Sequence, residues 1–194
     1  MDRRFLRSER LLTGAMLTLI SEKPFQEITV EEIVNKADVA RKTFYAHFKN
    51  KHELLWHSLT THFQTIESQL EPLNPTTLLA SNKPLSYSIF KHVGDYAIFY
   101  QSMLQGDGNS HFVFQFLEYV AHQSFMRMAP LRENAPMATV PPELVADMLS
   151  GALLGALRWW LKNGMGDTPE QMAYRFSQII APGVLQSMGL DLID

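Results

Sequence analysis

Three cations stand where a helix disfavours them. Arg41 and Lys42 fall in the first turn of a short helical segment, and Lys51 opens the segment that follows. The positive end of a helix dipole penalises each by about 0.3–1 kcal/mol, and the same helix starts leave backbone N–H groups unpaired. Phosphate oxygens relieve both costs at once, so these residues point to a polyanionic partner. Other chemistries find no set of groups. His47, His52, His57 and His62 are five apart, which spreads them around a helix instead of pairing them on one face as metal ligands. Gly106-Asp107-Gly108 lacks the rest of a nucleotide fingerprint, and the absence of cysteine excludes a thiol nucleophile, a sulfur-bound zinc and a disulfide framework. We therefore expect no metal, no cofactor and no enzyme.

The elements that must position those cations are helical. Apolar residues recur at three and four spacings throughout, so the chain reads as all-α with about nine helices. A first helix is expected over residues 3–21, burying Leu12, Ala15, Met16, Leu19 and Ile20 and ending before Lys23-Pro24. Thr29 with Glu32 forms a capping box for a second helix, with Ile28 stapling onto Ile33 and Asp38 at its left-handed end. A short third helix from Arg41 to Phe48 buries Phe44 and Phe48. Asn50 with Glu53 caps a long fourth helix through Leu54, Leu55, Leu59 and Phe63 to about Leu70. Pro72, Pro75 and residues 81–84 mark loops. Further helices are expected over residues 85–101, 110–128 and 142–162, with a turn at residues 106–109, a loop over residues 130–141 and a stop at Asn163-Gly164. Thr168-Pro169-Glu170-Gln171 opens a last helix that fades near Pro182 or Met188.

Charge is unevenly divided among the 194 residues. Residues 1–51 hold ten Lys/Arg against seven Asp/Glu, a net +3, whereas residues 52–194 hold seven against thirteen, a net −6. The expected division is a basic head, 1–51, and an acidic body, 52–194, with the polyanion touching the head alone. Arg3, Arg4, Arg7, Glu9 and Arg10 interrupt any signal-peptide pattern, and Asp147, Ser150 and Arg158 interrupt the longest apolar run. A soluble, cytoplasmic protein away from membranes is expected.

Two short helices joined by Ala37-Asp38-Val39-Ala40 have the proportions of a helix-turn-helix. The runs Phe25-Gln26-Glu27-Ile28-Thr29-Val30-Glu31-Glu32-Ile33 and Thr43-Phe44-Tyr45-Ala46-His47-Phe48-Lys49-Asn50-Lys51-His52-Glu53-Leu54-Leu55 resemble the N-terminal domain of TetR/AcrR-type transcriptional regulators over residues 8–56. The segment Gly151-Ala152-Leu153-Leu154-Gly155-Ala156-Leu157-Arg158-Trp159-Trp160-Leu161-Lys162-Asn163-Gly164-Met165 is similar to the C-terminal domain of regulators of the dihydroxyacetone-kinase-activator type. The resemblance implies a DNA-binding, ligand-responsive repressor acting as a homodimer on a palindromic operator. Arg41, Lys42 and Thr43 are then implied in base-edge and nearby phosphate contacts, Tyr45, His47 and Lys51 in holding phosphates, and Thr29 in a backbone contact. The alternative is a coactivator-like interaction module on the same fold that binds DNA weakly or not at all. Two positions depart from the pattern: Asp38 replaces a frequent glycine, and Ala40 a small hydroxyl residue, leaving the third helix without a side-chain cap.

Ten of the 21 aromatic residues lie between Tyr87 and Phe125. With the resemblance, Phe90, Tyr96, Phe99, Tyr100, Phe112 and Phe116 become candidates for lining a pocket for a small apolar or aromatic effector. The helix over residues 142–162 is apolar nearly all round, so a partner helix is expected on it. Leu153, Leu157 and Trp160, with Met172 and Phe176 of the last helix, are the candidate dimer contacts.

Overall fold

The computed structural model describes residues 3–68, 86–105, 110–129 and 140–189. Among these, nine α-helices and one 3-10 turn occur in the order α1 (Arg3–Glu22), the 3-10 turn (Phe25–Glu27), α2 (Val30–Ala37), α3 (Arg41–His47), α4 (Lys51–Glu67), α5 (Tyr87–Asp95), α6 (Ala97–Gln105), α7 (Ser110–Arg127), α8 (Pro142–Lys162) and α9 (Pro169–Ser187). The expected loops around Pro72, Pro75 and residues 81–84, the turn at residues 106–109 and most of the loop over residues 130–141 lie outside the described residues. The chain divides into two compact units, the first being residues up to 70 with Tyr96–Ser102, the second residues 71–95 and 103–194.

In the first unit, α1 packs on α2, α3 and α4 through the stripe expected of it, Leu12, Ala15, Met16, Leu19 and Ile20. Leu12, Met16 and Ile20 are fully buried, and burial on that scale contributes roughly 1.5–3 kcal/mol per side chain. Ile33, Val34 and Ala37 of α2, Phe44 of α3, and Leu54, Leu55, Leu59 and Phe63 of α4 are buried in the same unit. The start of α2 is fixed by the capping box, in which Glu32 N–H donates to Thr29 Oγ1 at 3.2 Å and Thr29 N–H donates to Glu32 Oε2 at 2.8 Å. Asn50 caps α4 by accepting from the backbone N–H groups of His52 and Glu53, both at 3.0 Å. The Glu53 carboxylate reaches one residue past the usual box and accepts from Lys49 N–H. The first residue of α4 is Lys51, so the 51/52 division drawn from charge falls just inside a helix that packs on α1.

The second unit stacks α8 on α7 and α9, and α9 on α5. Phe90 lies edge-on to Trp160 at 5.7 Å and to Phe176 at 6.1 Å. Trp160 is held further by its indole N–H, which donates to the Asp167 carbonyl at 2.9 Å. Gly94 makes room for that ring, since a Cβ there would stand 3.2 Å from Trp160 Cη2. α8 ends as its Asn-Gly sequence predicts. Gly164 at φ +71° and Met165 at φ 53° are both left-handed, and their N–H groups close back onto the Leu161 and Trp160 carbonyls. The Thr168 and Gln171 box and Pro169 at the first position open α9, which continues through Pro182 to Ser187 because Ala181, Val184 and Leu185 remain buried beyond it.

The single helix expected over residues 85–101 is two helices, α5 and α6, separated at Tyr96. α5 belongs to the second unit and α6 to the first as far as Ser102, with a border between the units between Asp95 and Tyr96. α8 is the one helix among those described that is long and apolar enough to cross a membrane, and its buried side packs on α7 and α9.

Candidate nucleic-acid interface

The turn from α2 to α3 is locked by backbone geometry. Asp38 takes the left-handed conformation at φ 51° and ψ 50°, and the Asp38 and Val39 N–H groups bond the Asn35 and Val34 carbonyls at 3.3 and 3.0 Å. This is the six-to-one and five-to-two pairing of a Schellman end. An aspartate tolerates the conformation that glycine adopts freely, so the departure at position 38 keeps the turn. The departure at position 40 has the consequence expected of it: Ala40 gives α3 no side-chain cap.

α3 buries Phe44 and leaves Arg41, Lys42 and Tyr45 exposed, with Thr43 half-buried. Arg41 and Tyr45, one turn apart, pair on the outer face. The guanidinium carbon lies 5.8 Å from the Tyr45 ring centroid, and hydrogen bonding to the Tyr45 hydroxyl holds the arginine above its ordinary pKa. Among the described residues, neither Arg41 nor Lys42 has a carboxylate in ion-pair contact. Thr29 is exposed at the start of α2, but its hydroxyl serves the capping box. Thr29, Arg41, Lys42, Thr43 and Tyr45 are thus carried by two consecutive helices and one rigid turn.

Two of the residues read as phosphate ligands are engaged inside the chain. The Lys51 ammonium donates to the carbonyls of Phe25, Gln26 and Ile28 at 3.1, 3.0 and 2.7 Å, and sits 4.7 Å from the Phe25 ring centroid. Partial burial pulls its pKa below the usual lysine value. Its donors close onto the 3-10 turn that precedes Thr29. His47 places Nε2 2.7 Å from Ser8 Oγ, and its ring lies 3.9 Å from the Phe5 ring. The Ser8 hydroxyl also lies 3.0 Å from the Arg4 and Phe5 carbonyls. His47 Nδ1 is buried with no hydrogen-bond partner among the described residues. The histidine therefore clamps α1 to the end of α3.

That clamp escaped the sequence reading. Phe5 lies three residues before Ser8 and four before Glu9, Leu12 and Met16 continue the same face, and Glu9 Oε1 meets His57 Nε2 at 3.1 Å. The spacing was the available signal, hidden because a serine and a glutamate stand where apolar residues are sought.

The aromatic candidates separate into two groups. Tyr96, Phe99 and Tyr100 belong to the first unit, where Phe99 packs edge-on to Phe25 at 6.5 Å and to Tyr100 at 4.9 Å. Burial drives the Tyr100 hydroxyl far above its ordinary pKa. Phe90, Phe112 and Phe116 belong to the second unit, where the latter two stack at 6.5 Å. The dimer candidates Leu153, Leu157, Trp160 and Met172 are buried in the core of their own unit, and Phe176 is half-buried against Phe90. The exposed apolar residues of α8 and α9 are others: Leu144, Met148, Trp159, Tyr174 and Ile179, with Gly151 and Gly155 on the same side of α8. An all-round apolar helix has no polar face to reveal which side a core covers.

The fold and this turn define a helix-turn-helix regulator. Residues 12–56 match the family model for bacterial regulatory proteins of the tetR family, and residues 82–182 match the model for the transcriptional regulator C-terminal region of the same group. The chain belongs to the TetR family of transcriptional regulators. It is 42% identical over 55 residues to the HTH-type transcriptional regulator YxbF of Bacillus subtilis, a match covering 28% of this chain and 14% of that protein. It is 33% identical over 87 residues to the transposon Tn10 TetC protein of Escherichia coli, covering 45% of this chain and 43% of that one. These matches thus span less than half the length of either relative. A TetR regulator of Streptococcus agalactiae superposes with a TM-score of 0.60 at 23% identity, covering 92% of this chain and 96% of that one. The dihydroxyacetone kinase operon activator DhaS does so with a TM-score of 0.60 at 17% identity, over 95% and 98%. At these identities the structural likeness is one of fold, and it extends to the kind of regulator that the sequence around residues 151–165 resembles.

Proposed function

We propose that the protein is a ligand-responsive DNA-binding repressor that reads a palindromic operator as a homodimer. The observation that carries the reading is the outer face of α3, where Arg41, Lys42 and Tyr45 are exposed on a helix fixed by the Asp38 turn, with no acidic partner in ion-pair contact among the described residues. Arg41 is assigned to guanine O6 and N7 in the major groove, with Lys42 and Thr43 beside it. Tyr45 and the start of α2 at Thr29 are assigned to the sugar-phosphate backbone. Lys51 and His47 support this surface from behind.

The partner copy is placed on the exposed side of α8 and α9, through Leu144, Met148, Trp159, Tyr174 and Ile179. A two-fold axis there sets two α3 helices about 34–36 Å apart, one turn of duplex. The effector is assigned to the second unit, as a small apolar or aromatic molecule near Phe112 and Phe116. It lowers DNA affinity by binding better to a conformation with a different helix separation. The family membership and the aromatic composition support this assignment, as they support a cytoplasmic location. Residues 1–51 then act as the DNA-reading head and residues 52–194 as the sensing and dimerising body.

Selection of bound fragments from genomic DNA tests the reading. Enrichment of a two-fold symmetric motif that Arg41→Ala abolishes is the expected result. No enrichment, or the same motif recovered by the variant, overturns it and favours an interaction module on the same fold.

A further inference from the structure

The core stripe of α1 begins only at Leu12. Residues 3–11 contain no buried side chain, yet they continue the helix, an overhang of about 13 Å at 1.5 Å per residue. What holds the overhang is its contact with the recognition helix and α4: Phe5 on the His47 ring, Ser8 on His47 Nε2 and Glu9 on His57. Opposite that docked side, Arg3, Arg7 and Arg10 recur at four and three spacings, so they share one face, and all three are exposed. Among the described residues none of them has an ion-pair partner, and the nearby carboxylate of Glu9 is committed to His57.

Charge accounting sharpens the point. Within residues 12–51 six Lys/Arg face five Asp/Glu, a net +1. Of those six, Lys23 pairs with Glu32, Lys36 with Glu22, and Lys51 with backbone carbonyls. Arg41, Lys42 and Lys49 remain without an ion-pair contact among the described residues. Residues 3–11 add four arginines against one glutamate, on a helix whose docked side fixes it to the end of α3.

We propose that Arg3, Arg7 and Arg10 form a second phosphate-binding track, gripping the duplex backbone beside the segment read by α3. The proposal rests on the DNA-binding reading above. It assigns the overhang an electrostatic, sequence-independent contact: the track sets affinity and its salt dependence, and α3 sets sequence preference.

The test uses the full chain and a fluorescein-labelled random-sequence DNA duplex a few helical turns long, titrated by anisotropy from about 50 to 200 mM salt. In R3Q/R7Q/R10Q the slope of log affinity against log salt is expected to shallow by about 2–3 per protomer bound. R3K/R7K/R10K, which keeps the charges, is expected to retain the parental slope, with thermal midpoints alike in all three proteins. A glutamine variant with the parental slope, or a lysine variant that loses as much as the glutamine one, overturns the track. If the parent binds and Arg41→Ala relaxes its sequence preference, that failure leaves the role of α3 standing. A parent showing no salt-dependent binding overturns both.

Discussion

Lys51 holds a positive charge where partial burial works against it, and three carbonyl oxygens with the face of Phe25 offset that cost. Truncation leaves those carbonyls without their donor. Charged hydrogen bonds of this kind contribute about 1.5–3 kcal/mol, so Lys51→Ala should lower unfolding stability by about 2 kcal/mol in urea melts while leaving the salt slope of DNA binding unchanged. A phosphate ligand would show the reverse. Glu32 is a second residue with a measurable signature. Hydrogen bonds from Lys23 and then from the Thr29 backbone and hydroxyl hold its carboxyl at about 2, against 4.5 ordinarily. Because the folded value is depressed, its contribution is complete above about pH 4.5 and disappears as pH falls through about 2. The stability difference between the parent and Glu32→Gln, measured by urea unfolding at stepped pH, should shrink across that window. Ala40→Ser should supply the missing cap of α3 and raise stability by about 1 kcal/mol, read as a higher urea midpoint. The caps at Thr29 and Thr168 were legible because both partners lie within three residues. The role of Lys51 was not, since its acceptors lie 23 to 26 residues upstream and no local pattern signals a lysine pointing inward.

Helix ends are where the chain states its fold most plainly. Gly164, left-handed and followed by the closing bonds of the turn, allows α8 to stop and Trp160 to reach Asp167. Gly164→Ala puts a Cβ on a positive φ and should cost about 1 kcal/mol or more, visible as a lower thermal midpoint. The same local chemistry made the boundaries of α2, α3 and α9 readable. Two element-level features were not readable for a shared reason. The break at Tyr96 falls where the chain passes from the second unit to the first, and the outer side of α8 differs from its inner side by accessibility alone. Periodicity reports a buried face only when the other face is polar. On α8 Leu153 and Leu157 are core whereas Met148 and Trp159 are exposed, although all four are apolar.

At the scale of the molecule, that distinction separates folding from assembly. Leu157→Glu forces a carboxylate into a packed core and should unfold the second unit. Met148→Glu and Ile179→Glu alter side chains that are 65% and 77% exposed, so both should keep helicity and melting behaviour while converting a dimer to a monomer in equilibrium sedimentation at micromolar concentration. Dissociation without unfolding would also weaken operator binding, because two half-sites are then read independently. The central claim is that the outer face of α3 reads a duplex, and the most direct measurement is the affinity of Arg41→Ala for a selected operator and for the same operator substituted base by base. The account predicts a loss of about five- to 150-fold on the parent site, corresponding to about 1–3 kcal/mol, together with indifference to substitution at one guanine of each half-site. Equal affinity, and the same preference at every base, would contradict it.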